Sequence, residues 1–91
     1  VDETVPLSAT FAVRISGDSM SPRYVDKQIV YVKPQQTLES GETGVFFLNG
    51  NAYCKILRMG KNTELISINR KYTPISISKY DELRVIGKVV G

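Results

Sequence analysis

The sequence contains no histidine, no tryptophan and a single cysteine. Without histidine there can be no Ser-His-Asp or Cys-His catalytic arrangement and no His-ligated metal. Cys54 alone cannot close an intrachain disulfide, and a lone thiol suits a reducing compartment, so a cytoplasmic location is expected. Long apolar runs are also missing: a stretch such as Val45–Leu48 falls far short of the ~20 residues that cross a bilayer, and nothing at the start reads as a signal peptide. Nor is there a basic run. Twelve Lys and Arg against nine Asp and Glu give a charge of +3, but the cations are scattered from Arg14 to Lys88 without a stripe, which argues against direct nucleic-acid binding. No motif for a cofactor or a metal is present, and none is expected.

What is present fits one small folded domain. The chain has 91 residues, of which 42% are hydrophobic and 23% charged, ordinary values for a soluble globular unit. A domain of this size buries only roughly 60 to 65% of its unfolded surface, so a partner subunit would help it, and oligomerisation is expected.

Apolar residues recur at period two, not at helical spacing. Phe11, Val13 and Ile15 share one face of a first strand. Gln28–Lys33 and Gly44–Leu48 are β-branched and aromatic, with turn-forming residues at their ends. Asn49-Gly50 predicts a tight hairpin that pairs Val45–Leu48 with Ala52–Leu57. Glu64–Ile68 and Leu83–Val90 read as further strands. Ser19–Tyr24 is expected to make one short helical turn, with Pro22 near its start and Ser19 or Asp18 as cap. The fold class is all-β, a small curled or barrel-like sheet of six to seven strands.

The available nucleophiles are Ser, Thr and Cys54, and the available bases are carboxylates or an unprotonated lysine. Gly17-Asp18-Ser19-Met20 lies where a strand ends. Gly17 permits a sharp turn that would expose the Ser19 hydroxyl and the amides beside it, a place where an oxyanion could be held. Lys55 lies in mid-strand, sharing a face with Tyr53 and Leu57 and flanked by Cys54 and Ile56 on the other. Desolvation there would lower its pKa toward the range in which it can take a proton from a serine. The structural alternatives are a solvated strand lysine and a common Gly-Asp-Ser turn. Met20 would then fill a core gap, Asp18 would serve the turn and Cys54 would pack as a small hydrophobe.

Phe11-Ala-Val-Arg-Ile-Ser-Gly-Asp-Ser-Met-Ser-Pro22 resembles the nucleophile segment of the LexA-like self-cleaving repressors, a strand followed by Gly-Asp-Ser-Met-x-Pro. The likeness continues through Asp26–Val32, Ser40–Phe46 and Asn51-Ala-Tyr-Cys-Lys-Ile-Leu57, which is similar to the family's lysine strand. Ser67–Pro74 and Val85–Val90 resemble the closing segments of phage-repressor members. The resemblance implies that Ser19 is the nucleophile and Lys55 the general base of a Ser-Lys dyad. It also implies an oxyanion site made of backbone amides, that of Ser19 with that of Asp18 or Met20.

The resemblance further implies a C-terminal autoprotease and dimerisation domain, spanning residues 1–91, of a bacterial or phage repressor in the SOS response. Its partners would be a second copy of itself and the RecA filament, with DNA reached only through an N-terminal domain. Neither that DNA-binding domain nor an Ala-Gly or Cys-Gly cleavage site occurs in this chain. Leu83–Val90 is expected to supply a dimerising edge. Asp26-Lys27 departs from the Asp-Gly of many relatives, which predicts a differently shaped turn before the next strand. The alternatives are a non-catalytic dimerisation module, or a UmuD-like accessory subunit of a translesion polymerase. A type I signal peptidase shares the chemistry but would need a membrane anchor and an apolar docking surface, and neither is read here.

Overall fold

The structure is a computed structural model that describes residues 9–91. Most of the stretch from Val1 to Thr10, in which no scissile dipeptide was found, lies outside the described residues. The rest forms seven strands: β1 (Phe11–Arg14), β2 (Ile29–Pro34), β3 (Thr43–Leu48), β4 (Asn51–Met59), β5 (Thr63–Ile66), β6 (Ile75–Ile77) and β7 (Leu83–Val89). They make one antiparallel sheet in the order β1-β2-β7-β3-β4-β5-β6. The all-β, curled-sheet expectation holds. The strand that periodicity did not signal is β6, only three residues long.

The Asn49-Gly50 signal reads true, and its geometry shows why. Asn49 has φ 50° and Gly50 φ 86°, the left-handed pair of a two-residue turn whose twist matches that of the strands. The turn sets the β3–β4 register from Leu48 opposite Asn51 to Thr43 opposite Ile56. Asn49 also fastens the hairpin to the start of β7: its amide group donates to Asp81, its side-chain oxygen accepts from the Glu82 N–H, and its own N–H donates to the Glu82 carbonyl.

The central strands are buried on both faces, so alternation sorts their apolar residues into two clusters. Val45 joins Ile15, Met20, Tyr24, Val30, Val32 and Val89, with Cys54 and Ile56 packed against them. Phe46 and Leu48 join Leu38, Leu57 and Leu65 on the other side. Met20 is a core residue, 1% exposed, as its default reading had it.

Two expectations need correction. β7 is not an edge: it runs between β2 and β3, because its apolar residues feed both clusters and so require cover on both faces. Its pairing with β2 is short, only Val32, Lys33 and Pro34 opposite Val89, Lys88 and Gly87. Residues 18–24 form successive turns, and the described residues contain no helix. Ser21 donates its N–H to the Asp18 carbonyl and Tyr24 to that of Met20, but Pro22 has no N–H to continue the ladder. Lys27 has φ 72°, a left-handed conformation that glycine adopts readily and lysine at a cost. No helix among the described residues is long and apolar enough to cross a membrane.

Candidate active site

Ser19 follows the edge strand β1 and Lys55 lies on β4, four places away in the sheet order, and the curl brings them to one cleft. β1 leads through Ile15 into the Gly17–Met20 turn, while β4 supplies Lys55 from beside the central strand. The cleft has a volume of about 250 Å³, and its walls include Val13, Ile15, Ser19, Met20, Cys54 and Lys55. Both flanking strands present free edges to it among the described residues. β1 pairs only with β2, and β4 pairs with β5 only from Ile56 onward, which leaves Asn51–Lys55 open on that side.

The Ser19 turn is held from several sides. Gly17, at φ 86°, occupies a conformation costly for other residues, and its N–H donates to the Asp26 carboxylate at 2.7 Å. The Lys27 N–H donates to the Ile15 carbonyl and Arg14 donates to the Lys27 carbonyl, so the two turns brace one another. From across the cleft, Asn69 donates its backbone N–H to the Ser19 carbonyl at 2.9 Å and its side-chain amide to the Asp18 carbonyl at 3.1 Å. The Tyr72 hydroxyl donates to the Asp18 carboxylate. That bond is the main reason the Asp18 carboxyl is held below its ordinary value and the Tyr72 phenol above its own. The Ser19 and Met20 amides donate to no other described residue.

Lys55 is 6% exposed. Burial is the leading cause that lowers its pKa from the ordinary lysine value, because the desolvated ammonium loses more than the neutral amine. Its surroundings are aromatic: Nζ lies 6.0 Å from the centre of the Tyr53 ring and 5.4 Å from that of Tyr72. Its hydrogen bond runs to Ser67, with Nζ donating to Oγ at 2.6 Å. Ser19 lines the same cleft, but no hydrogen bond joins it to Lys55. Cys54 follows its default reading as a small packed residue, with burial pushing its thiol up to about 11.

Sequence reasoning named Ser19 and Lys55 and missed Ser67, Asn69 and Tyr72. The signal for Ser67 lay in strand register. The last β4–β5 pair is Ile56 opposite Ile66, and one step further sets Ser67 directly across from Lys55, with both side chains on the same face.

The family described as Peptidase S24-like matches residues 2–90. The chain is 35% identical to a LexA repressor of Carboxydothermus hydrogenoformans, over 94% of this chain and 43% of that protein. It is 37% identical to one of Syntrophotalea carbinolica, over 89% and 41%, and 33% identical to one of Magnetococcus marinus, over 99% and 40%. The chain thus spans less than half the length of these relatives. A sheet with the Ser19 turn and the Lys55 strand in this order, matched along nearly its whole length, belongs to the Peptidase S24-like family and is LexA-like within it.

Proposed function

We propose that this domain cuts a peptide bond with a Ser19–Lys55 dyad, and that it does so as the self-cleaving, dimerising C-terminal domain of a transcriptional repressor. The observation that carries the reading is a buried lysine, depressed by desolvation, on the wall of the cleft that holds the Ser19 turn. In its neutral form Lys55 takes the Ser19 proton as Oγ attacks the scissile carbonyl carbon. The tetrahedral oxyanion is held by the Ser19 amide together with that of Asp18 or Met20. As the C–N bond breaks, the Lys55 ammonium returns its proton to the leaving amine. Water, deprotonated by the again-neutral Lys55, then hydrolyses the acyl-serine.

The open edges of β1 and β4 suit a substrate in extended conformation, whose backbone would pair with them as an added strand. A peptide bond of the same polypeptide is the natural candidate, since a tethered segment reaches such a cleft at high effective concentration. Cleavage would separate this domain from a DNA-binding one and so weaken repression. A second copy of the chain and the RecA filament are the partners this reading carries.

The test is incubation of the full-length protein at about pH 10, near the ordinary lysine value, with mass spectrometry of the products. Wild type should yield two fragments that fix the bond, and Ser19→Ala and Lys55→Ala should stay whole. Lys55→Arg should also stay whole, because a guanidinium is no base at that pH. An uncut wild type, even beside an activated RecA filament, would shift the reading to a dimerisation module without chemistry.

A further inference from the structure

A lysine can act as a base only if its lone pair points at the proton it must take. Nζ sits on a flexible stem, and rotation about the Cε–Nζ bond decides where its two hydrogens and its lone pair lie once the group is neutral. Among the described residues, one hydroxyl fixes that rotation: Ser67 Oγ, which accepts from Nζ at 2.6 Å and is itself 9% exposed. The aromatic rings of Tyr53 and Tyr72 line other sides at 6.0 and 5.4 Å and offer no lone pair in the plane. The short chain segment that carries Ser67 also carries Asn69, which holds the Ser19 and Asp18 carbonyls. One stretch of backbone therefore grips the amine on one side of the cleft and the nucleophile turn on the other.

We infer that Ser67 is a positioning residue for the dyad: it occupies one N–H of Lys55 so that the lone pair of the neutral amine is turned toward Ser19. The inference rests on the reading of Ser19 and Lys55 given above. It requires Ser67 to remain an acceptor throughout the reaction, so its own Oγ is not the attacking atom. A hydroxyl oxygen facing Nζ also stabilises the ammonium over the amine, so Ser67 trades some of Lys55's basic fraction for orientation. The other titratable groups against Lys55 are Cys54 on its own strand and the two tyrosines. Burial pushes the Cys54 thiol up to about 11, so it ionises only at the top of the lysine range and there favours the Lys55 ammonium, and Tyr72 is bonded to Asp18. None of them can replace Ser67 as acceptor at the same place.

The test uses a fluorophosphonate, which a serine attacks at phosphorus, forming the O–P bond and expelling fluoride while the base takes the hydroxyl proton. The rate of mass gain is followed from about pH 6 to about pH 11, a range that brackets the lysine titration, in wild type, Ser67→Ala and Ser67→Thr. Peptide mapping identifies the labelled serine, and circular dichroism checks that each variant is folded. The inference expects label on Ser19, a high-pH plateau lowered about 10- to 100-fold in Ser67→Ala, and an inflection moved to lower pH in that variant. Ser67→Thr should restore the plateau to within about threefold, because it keeps the hydroxyl. A Ser67→Ala profile that matches wild type in plateau and inflection would overturn the positioning role and leave the dyad standing. So would equal losses in Ala and Thr with the inflection unmoved, which would mark packing alone. No labelling of wild type at any pH, or label on Ser67, would instead sink the Ser19–Lys55 reading and the inference with it.

Discussion

The narrow seam between β2 and β7 makes Gly87→Ala the most informative stability perturbation. Gly87 is buried opposite Pro34. A Cβ added there would lie 2.5 Å from the Lys33 carbonyl oxygen and 2.6 Å from Val32 Cγ1. One of these neighbours is backbone, so the strain cannot be relieved by a side-chain swing. Ordinary contact needs β2 to retreat by about 1 Å, and overpacking of this kind costs about 2–3 kcal/mol. That is a large share of the roughly 5 to 14 kcal/mol available to a domain of this length, and it should lower Tm by about 10–20 °C. The seam has only three register pairs, and the ribbon it holds, β1–β2, leads into the Ser19 turn. A displacement of about 1 Å there should cut Ser19 labelling about tenfold or more, even well below Tm.

Urea unfolding followed by circular dichroism, beside fluorophosphonate kinetics on the folded variant, reads both effects. Gly60→Ala is the control, since nothing lies within 4 Å of a Cβ there, and it should stay within about 0.5 kcal/mol of wild type. A Gly87→Ala midpoint equal to that of Gly60→Ala would refute the seam argument. So would full loss of stability with labelling kinetics unchanged while folded.

The remaining predictions concern the site and its braces. Because burial holds Lys55 below 10.5, the folded state binds fewer protons than the unfolded state between the two values. Wild-type stability relative to Lys55→Met should therefore rise with pH through a window ending near 10.5, and a falling or flat difference in urea titrations would contradict that sign. Lys27→Gly relieves a left-handed lysine at some cost in chain entropy, so unfolding should show a net gain of about 0.5–1 kcal/mol. Asn69→Ala removes the amide held against the Asp18 carbonyl and should cost about 1–2 kcal/mol, with slower Ser19 labelling that a surface variant such as Lys61→Ala does not share. With its thiol pushed up to about 11, Cys54 should react with iodoacetamide at about pH 8 about two orders of magnitude more slowly than an unperturbed thiol.

Much of this architecture was legible because period-two patterning survives wherever a strand has one wet face or two clear neighbours. Phe11-Ala-Val-Arg is such a case, with Phe11 and Val13 turned inward and Ala12 and Arg14 exposed. Asn49-Gly50 was legible for a local reason, since few dipeptides accept two left-handed conformations in succession. Ile75–Ile77 was not, because three residues between Pro74 and Ser78 carry too little alternation to separate a strand from a loop. The position of β7 inside the sheet depends on pairing with β2 and β3, far away in sequence, and no local pattern encodes that. The site divides along the same line. Ser19 and Lys55 sit in recognisable segments, whereas Ser67 matters only through the β4–β5 register, and Asn69 and Tyr72 only through the curl that folds their segment over the Ser19 turn. Lys27 shows the converse: a residue type that rarely takes a left-handed conformation is held in one by the hydrogen bonds around it.

The strand order also has a consequence for how the molecule is made. The ribbon that bears Ser19 precedes the other strands in the sequence, yet the strand it pairs with in the body of the sheet is β7, the last of the seven. Chains emerge from the ribosome at about 5–20 residues per second, so the Ser19 ribbon waits several seconds for its partner strand. Pairing the first strands with the last is a long-range closure, slow by nature. The Ser19 ribbon therefore joins the sheet only after β7 has been made, which makes that closure a late step of folding.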